Sequence, residues 1–206
     1  MPINDAPRYV TLTDMRRYIS AHTNSINTDE DDLLTDCIVS AEWQIDTYTR
    51  RVFVAVPGTR YYSRFTGIVQ DNALYLGDGE DLYALPNNGT VYNGDGQLFP
   101  VGSIWLEPRN EGPPFKIIRL KSSYAWSWNT DDEIKIPGTW GWSLTAPPPI
   151  QSATRELAMY IYRSKDVTPN DMAGFDQAGA IQSPRGMPET VRRRIEPYRS
   201  RSGGVL

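Results

Sequence analysis

The residues able to carry chemistry are few. The 206-residue chain has one histidine, His22, and one cysteine, Cys37. A Ser-His or Cys-His nucleophile system would have to be built on that single imidazole. His22 stands in the polar stretch HTNSINT, and Cys37 falls on the apolar stripe of a predicted helix, where a free cysteine acts as a small packing residue. One Cys and one His cannot supply a zinc set, and one cysteine cannot form an internal disulfide. LGDGEDL (76–82) and YNGDGQL (92–98) concentrate Asp and Gly. Neither has the spacing of a calcium loop, and tight hairpin turns demand the same residues, so turns are expected. No phosphate-cradling glycine motif is present. Carboxylate pairs for glycoside cleavage assemble in space, and no pair is singled out by spacing. The reading is a non-enzyme without metal or cofactor.

Two tryptophan pairs, Trp126/Trp128 and Trp140/Trp142, alternate along the chain. On a strand each pair points to one face. Exposed, such a face is a stacking platform for sugars or bases. Buried, it is the core of a β domain or the seam where that domain meets helices. Gly141, between the second pair, points to a bend or a close backbone approach. The prolines of APPP hold the next residues extended before a helix begins.

The elements around these residues follow from hydrophobic period. Thr11 reads as an N-cap, and Leu12, Met15 and Ile19 share one face of a short helix. Thr28 and the acids after it open a second helix, in which Leu34, Ile38, Ala41, Ile45 and Tyr48 repeat at four and three. From Val52 to about Trp142, short β-rich runs (RYYSRF, ALYL, TVY, SIWLE, FKIIRLK) alternate with turn clusters (GDGED, PNNG, NGDG, RNEGPP, NTDDE). That rhythm predicts a small sandwich or barrel. Pro149 starts a third helix, with Ile150, Ala153, Leu157, Tyr160 and Ile161 on its apolar face. Residues 167–186 read as a polar linker. Then MPETVRRRIEPYRSR offers Val191, Ile195 and Tyr198 as a thin apolar edge among arginines, a helix that gains order by docking.

The fold class expected is therefore α+β: a small helical bundle core, a large β-rich insertion and an extended C-terminal arm. The divisions are 8–53 for the helix pair, 54–142 for the insertion, 143–166 for the returning helix, 167–186 for the linker and 187–206 for the arm. Net charge is −4. Residues 185–206 hold six Arg against two Glu, a net of +4, so the remainder carries −8. A basic tail on an acidic body implies a partner for the tail. The opening MPINDAPRYV lacks a secretory pattern, and no apolar run approaches the roughly 20 residues of a membrane span. A cytoplasmic origin and no membrane partner are expected.

Four stretches together resemble the head–tail adaptor (connector) proteins of tailed double-stranded DNA bacteriophages. They are TLTDMRRYI with DEDDLLTDCIVSAEWQIDTYTRRVF, SIWLEPRNEGPPFKIIRL, IKIPGTWGW with PPPIQSATRELAMYIYRSKD, and a terminal P-x-x-V followed by PYR. The resemblance covers Val10 to Arg199. It implies a structural virion protein at the neck, assembled in the host cytoplasm as a homo-oligomeric, twelve-fold ring beneath the portal. Such a ring extends the DNA channel, lets genomic DNA pass through without sequence specificity, and receives the next neck or tail-completion protein. It further implies that Met187, Val191, Arg192, Arg193, Arg194, Ile195, Tyr198 and Arg199 dock on the portal. In this frame Trp140, Trp142 and Pro148 mark the seam between insertion and core. The competing reading is a carbohydrate- or host-binding β module using exposed tryptophans.

Overall fold

The computed structural model describes residues 9–21, 28–65, 68–86, 89–129, 133–164 and 186–200. His22, nearly all of the expected linker, residues 201–206 and parts of the turns at 86–89 and 129–133 lie outside them. Among the described residues, four helices and two antiparallel sheets make an α+β fold. The chain divides into two compact units: Met1–Thr49 with Pro147–Arg199, and Arg50–Ala146 with Ser200–Leu206.

The first unit is helical. Helix α1 (Leu12–Ser20) starts at Thr11, whose hydroxyl accepts from the Asp14 amide at 3.1 Å, and buries Met15 and Ile19. A 3-10 turn (Thr28–Glu30) leads into α2 (Asp31–Thr49), which buries Leu34, Cys37, Ile38, Ala41, Ile45 and Thr49. Tyr48 is only half-buried. The Arg16 guanidinium grips the Asp31 carboxylate and ties α1 to the start of α2. Helix α3 (Pro148–Arg163) takes Pro148 and Pro149 in its first turn, where missing N–H groups cost nothing. Its inner face is Ile150, Ala153, Thr154, Leu157, Ala158 and Met159. Tyr160, expected on this face, is 37% exposed.

Helix α4 (Glu189–Ile195), followed by a 3-10 turn (Glu196–Tyr198), packs on α3 with Val191 and Ile195 fully buried. Over residues 189–198 the expected C-terminal arm is a short helix and a 3-10 turn seated on α3. The apolar edge is present, and the chain's own helical unit covers it.

The described residues of the second unit hold seven strands. One sheet runs β1 (Val56–Tyr62), β7 (Ile134–Trp140), β4 (Leu82–Ala84). The other runs β2 (Ile68–Gln70), β3 (Ala73–Tyr75), β6 (Ile117–Leu120), β5 (Ile104–Glu107). Neither closes into a barrel. Strand β7 pairs with β1 from Val56 opposite Trp140 to Tyr62 opposite Ile134. Its buried positions alternate, with Ile134, Ile136, Gly138 and Trp140 inward, as a half-buried strand requires. These residues share one core with Tyr62, Leu74, Leu82, Val91, Phe99, Ile118, Leu120 and Trp126. Leu82 and Phe115 exchange both backbone hydrogen bonds, at 3.1 and 2.8 Å, and thereby link β4 to the chain entering β6.

Candidate interaction surface and buried charge centre

The C-terminal helix presents two chemistries. Its inner edge is aliphatic. Its outer side carries Arg192 and Arg193, both paired with Glu189 of the preceding turn and with side chains 53% and 76% exposed. Arg194 turns back to Glu156 of α3 at 2.6 Å, and the Thr190 hydroxyl donates to the same carboxylate. One step further on, the Tyr48 hydroxyl of α2 donates to Glu196, which raises the phenol's pKa. The Arg199 guanidinium lies 5.3 Å from the Tyr48 ring centroid. Met187 and Tyr198 are half-buried. The eight residues expected to form one docking surface are thus split: Val191 and Ile195 face inward, while Arg192, Arg193 and Arg199 face solvent.

The two alternating tryptophan pairs are covered to different degrees, while Trp43 and Trp105 are 68% and 40% exposed. Trp126 is 9% exposed and Trp140 3%, and Trp128 and Trp142 are half-buried. Three indole N–H groups donate to backbone carbonyls: Trp126 to Asn72 (3.0 Å), Trp128 to Tyr62 (3.2 Å) and Trp140 to Gly58 (3.2 Å). Trp126 packs edge-on to Phe99, and Trp142 lies against Phe53 at 6.2 Å. A carbohydrate platform needs open indole faces, and Trp126 and Trp140 do not offer them. Trp126 and Trp128 also lie outside regular strands; only Trp128 makes a bridge, with Gly94. Gly141 behaves as its neighbours require. It has φ +145°, and a Cβ there would stand 2.5 Å from Ala55 Cα. Pro148 opens α3.

The turn Gly77–Leu82 hides a centre that composition alone did not reveal. The Asp81 side chain is fully buried. Its carboxylate takes Arg51 at 2.7 Å and also pairs with Lys116. Burial lowers the Lys116 pKa and the Asp81 partner opposes that shift. The Arg51 guanidinium also stacks on Trp142 at 4.9 Å. Arg50, in the left-handed region at φ 56°, pairs with Asp78, and Ser200 donates to the same carboxylate. Gly79 comes so close to Arg50 that a Cβ would meet its carbonyl oxygen at 2.1 Å. The turn is a clamp on Arg50, Arg51 and Lys116. The signal was in the sequence, as paired arginines beside an aromatic, but the matching acid is 30 residues away. The second acidic turn is a turn as expected: Asn93 bonds to the Ala125 carbonyl, to Ser127 and to Gly94.

In the helical unit, Tyr9 is held by two carboxylates one turn apart on α2. Its amide donates to Glu42 at 2.7 Å and its hydroxyl to Asp46 at 2.6 Å. Burial pushes the Asp46 carboxyl up to about 7, Tyr9 opposes the shift and Glu42 adds to it. Among the described residues no group of three or more His, Cys, Asp or Glu could hold a metal ion, and no helix is long and apolar enough to cross a membrane. An open pocket of about 350 Å³ in the β unit is lined by Tyr83, Leu85, Ile104, Leu106 and Phe115 among others, and its described lining holds no carboxylate, histidine, lysine or arginine.

No family model matches the sequence, and no curated protein is significantly similar to it. Solved structures are. One is a chain from the neck of an empty gene transfer agent (GTA) particle computed with C6 symmetry. It is 18% identical, with a TM-score of 0.57 over 94% of this chain and 90% of that one. Another is a chain from the virion of a native GTA particle, 16% identical with a TM-score of 0.55 over the same shares. The fold is theirs. The matched residues include both the helical and the β unit.

Proposed function

We propose that this chain is a structural protein of the neck of a tailed phage or phage-like particle. It forms a homo-oligomeric, twelve-fold ring between the portal and the next neck or tail-completion protein, and it extends the channel through which DNA passes. The single observation that carries this reading is the fold shared, over 94% of the chain, with a chain from the neck of a GTA particle. Charge supports it. Residues 28–49 contain seven acids and no Lys or Arg. An acidic wall repels phosphate and lets DNA slide without sequence-specific contact.

The portal contact is assigned to the C-terminal segment Met187–Arg199. With Val191 and Ile195 committed inside the helical unit, the groups left for the portal are Arg192, Arg193 and Arg199. Arginine suits an interface with acidic or aromatic groups. Trp140, Trp142 and Pro148 frame the return of the chain from the β unit to α3. The test is negative-stain electron microscopy of the protein alone and mixed with its cognate portal. A ring stacked coaxially on the portal is the expected result. Absence of association across salt conditions removes the neck assignment.

A further inference from the structure

The seat of α4 on α3 has an unusual property: both its halves are known, and they are joined by far more chain than the seat requires. Helix α4 has seven residues, too few to persist alone in water. Its order comes from the seat. Val191 and Ile195 are fully buried, Thr190 and Arg194 converge on Glu156, and Glu196 takes the Tyr48 hydroxyl. The seat is therefore a receptor for a short peptide of fixed pattern: two aliphatic residues four apart, with a hydroxyl and a cation placed to meet one carboxylate.

Between Ser164 at the end of α3 and Gly186 before α4 there are 21 residues. At about 3.3 Å per residue they can span roughly 70 Å. Helix α3, with 16 residues, is only about 24 Å long at 1.5 Å per residue. Antiparallel neighbours in helical bundles are usually joined by about 2–8 residues. A seat on the chain's own α3 leaves most of that length without use, and a seat on an adjacent copy is within its reach. The two seats make identical contacts, so exchange between copies sacrifices no interaction.

We propose that, where copies adjoin, α4 of one copy occupies the α3 seat of the next, so that each subunit carries its neighbour's C-terminal helix. The partner is a second copy of this chain, and the contact is head-to-tail. Arg192 and Arg193 stay on the outer side of the seated helix and remain open to a further partner. The proposal rests on the ring reading for where copies meet.

The test joins the two sides of the seat covalently. Glu156→Cys and Thr190→Cys are combined in the full chain, and the assembled protein is treated with a short bis-maleimide and run on a denaturing gel. The two single variants serve as controls, since Cys37 is buried. Exchange predicts a ladder of covalent multimers from assembled protein, one monomer band from dilute protein, and no ladder from either control. Microscopy of the same samples reports rings independently. Rings with only a monomer band overturn the exchange and leave the neck reading standing. Multimers without rings support exchange and count against the ring. A monomer band without rings, at high concentration and with portal present, overturns both.

Discussion

The two units differ in where their ion pairs sit. In the helical unit the ion pairs are local or peripheral: Glu189 with Arg192 and Arg193, Arg194 with Glu156, Arg16 with Asp31. Each is partly exposed, and each can be lost without stranding a charge in the core. The β unit instead places one carboxylate, Asp81, at zero exposure between two cations from segments 30 and 35 positions away. A unit of the first kind can release a piece and stay folded. A unit of the second kind holds together or fails together, because removing one member of a buried charge set leaves the others uncompensated.

Mutations at the two centres sharpen that contrast. Asp81→Ala should give the largest loss, about 3–5 kcal/mol, in one cooperative step read by tryptophan fluorescence during denaturant unfolding. A loss under about 1 kcal/mol would mean the cluster is solvated and the contrast is false. Trp140→Ala should cost the β unit about 3–5 kcal/mol through the cavity it leaves. An unchanged melting curve would return the indole to the surface.

Ile195→Ala should behave differently. The local loss is roughly 2–5 kcal/mol, yet its expression is confined to undocking of α4. Hydrogen exchange should show α4 amides unprotected while α2 and α3 keep their protection. Global unfolding of the helical unit would erase the difference between the two regions.

A smaller effect concerns Asp46, whose carboxyl is raised from 3.8 to about 7, first by burial. The folded state holds that proton more tightly than the unfolded one. Its contribution is therefore full below about pH 4, is lost as pH rises towards 7, and is flat above. Three pKa units set a ceiling of about 4 kcal/mol. Asp46→Asn should flatten the pH dependence of the helical unit between pH 4 and 7, and a slope unchanged by the substitution would remove the assignment. Smallest is Thr11→Ala at the cap of α1, about 1 kcal/mol by thermal melting.

What could be read from the chain follows the same division. The Thr11 cap, the apolar faces of α1 and α2 and the proline start of α3 rest on residues within one or two turns of each other, so period and capping chemistry reveal them. The acid that holds Arg51 cannot be found that way: in GDGEDL, Asp81 looks like any turn residue, and only the pairing of β4 with β7 carries it inside. Tyr160 reads as part of the apolar face by period, yet it is 37% exposed, since its phenol tolerates solvent at the edge of the stripe. The edge formed by Val191 and Ile195 was legible as something that docks. Its occupant was not, because an apolar stripe states that it will be covered without stating by what.

One feature of the β unit bears on how such chains diversify. Its incoming and outgoing strands run side by side: Val56 pairs with Trp140, Ala55 donates to Ser143 at 2.8 Å, Trp142 donates to Val52 at 2.9 Å, and Gly141 admits the Ala55 backbone by having no side chain. The unit therefore leaves the chain through a narrow gate, with both ends a few ångströms apart. A module with adjacent ends can be lengthened, trimmed or exchanged for another without displacing what precedes or follows it. The same closure makes 50–146 a natural graft, transferable to another helical scaffold as a single cassette.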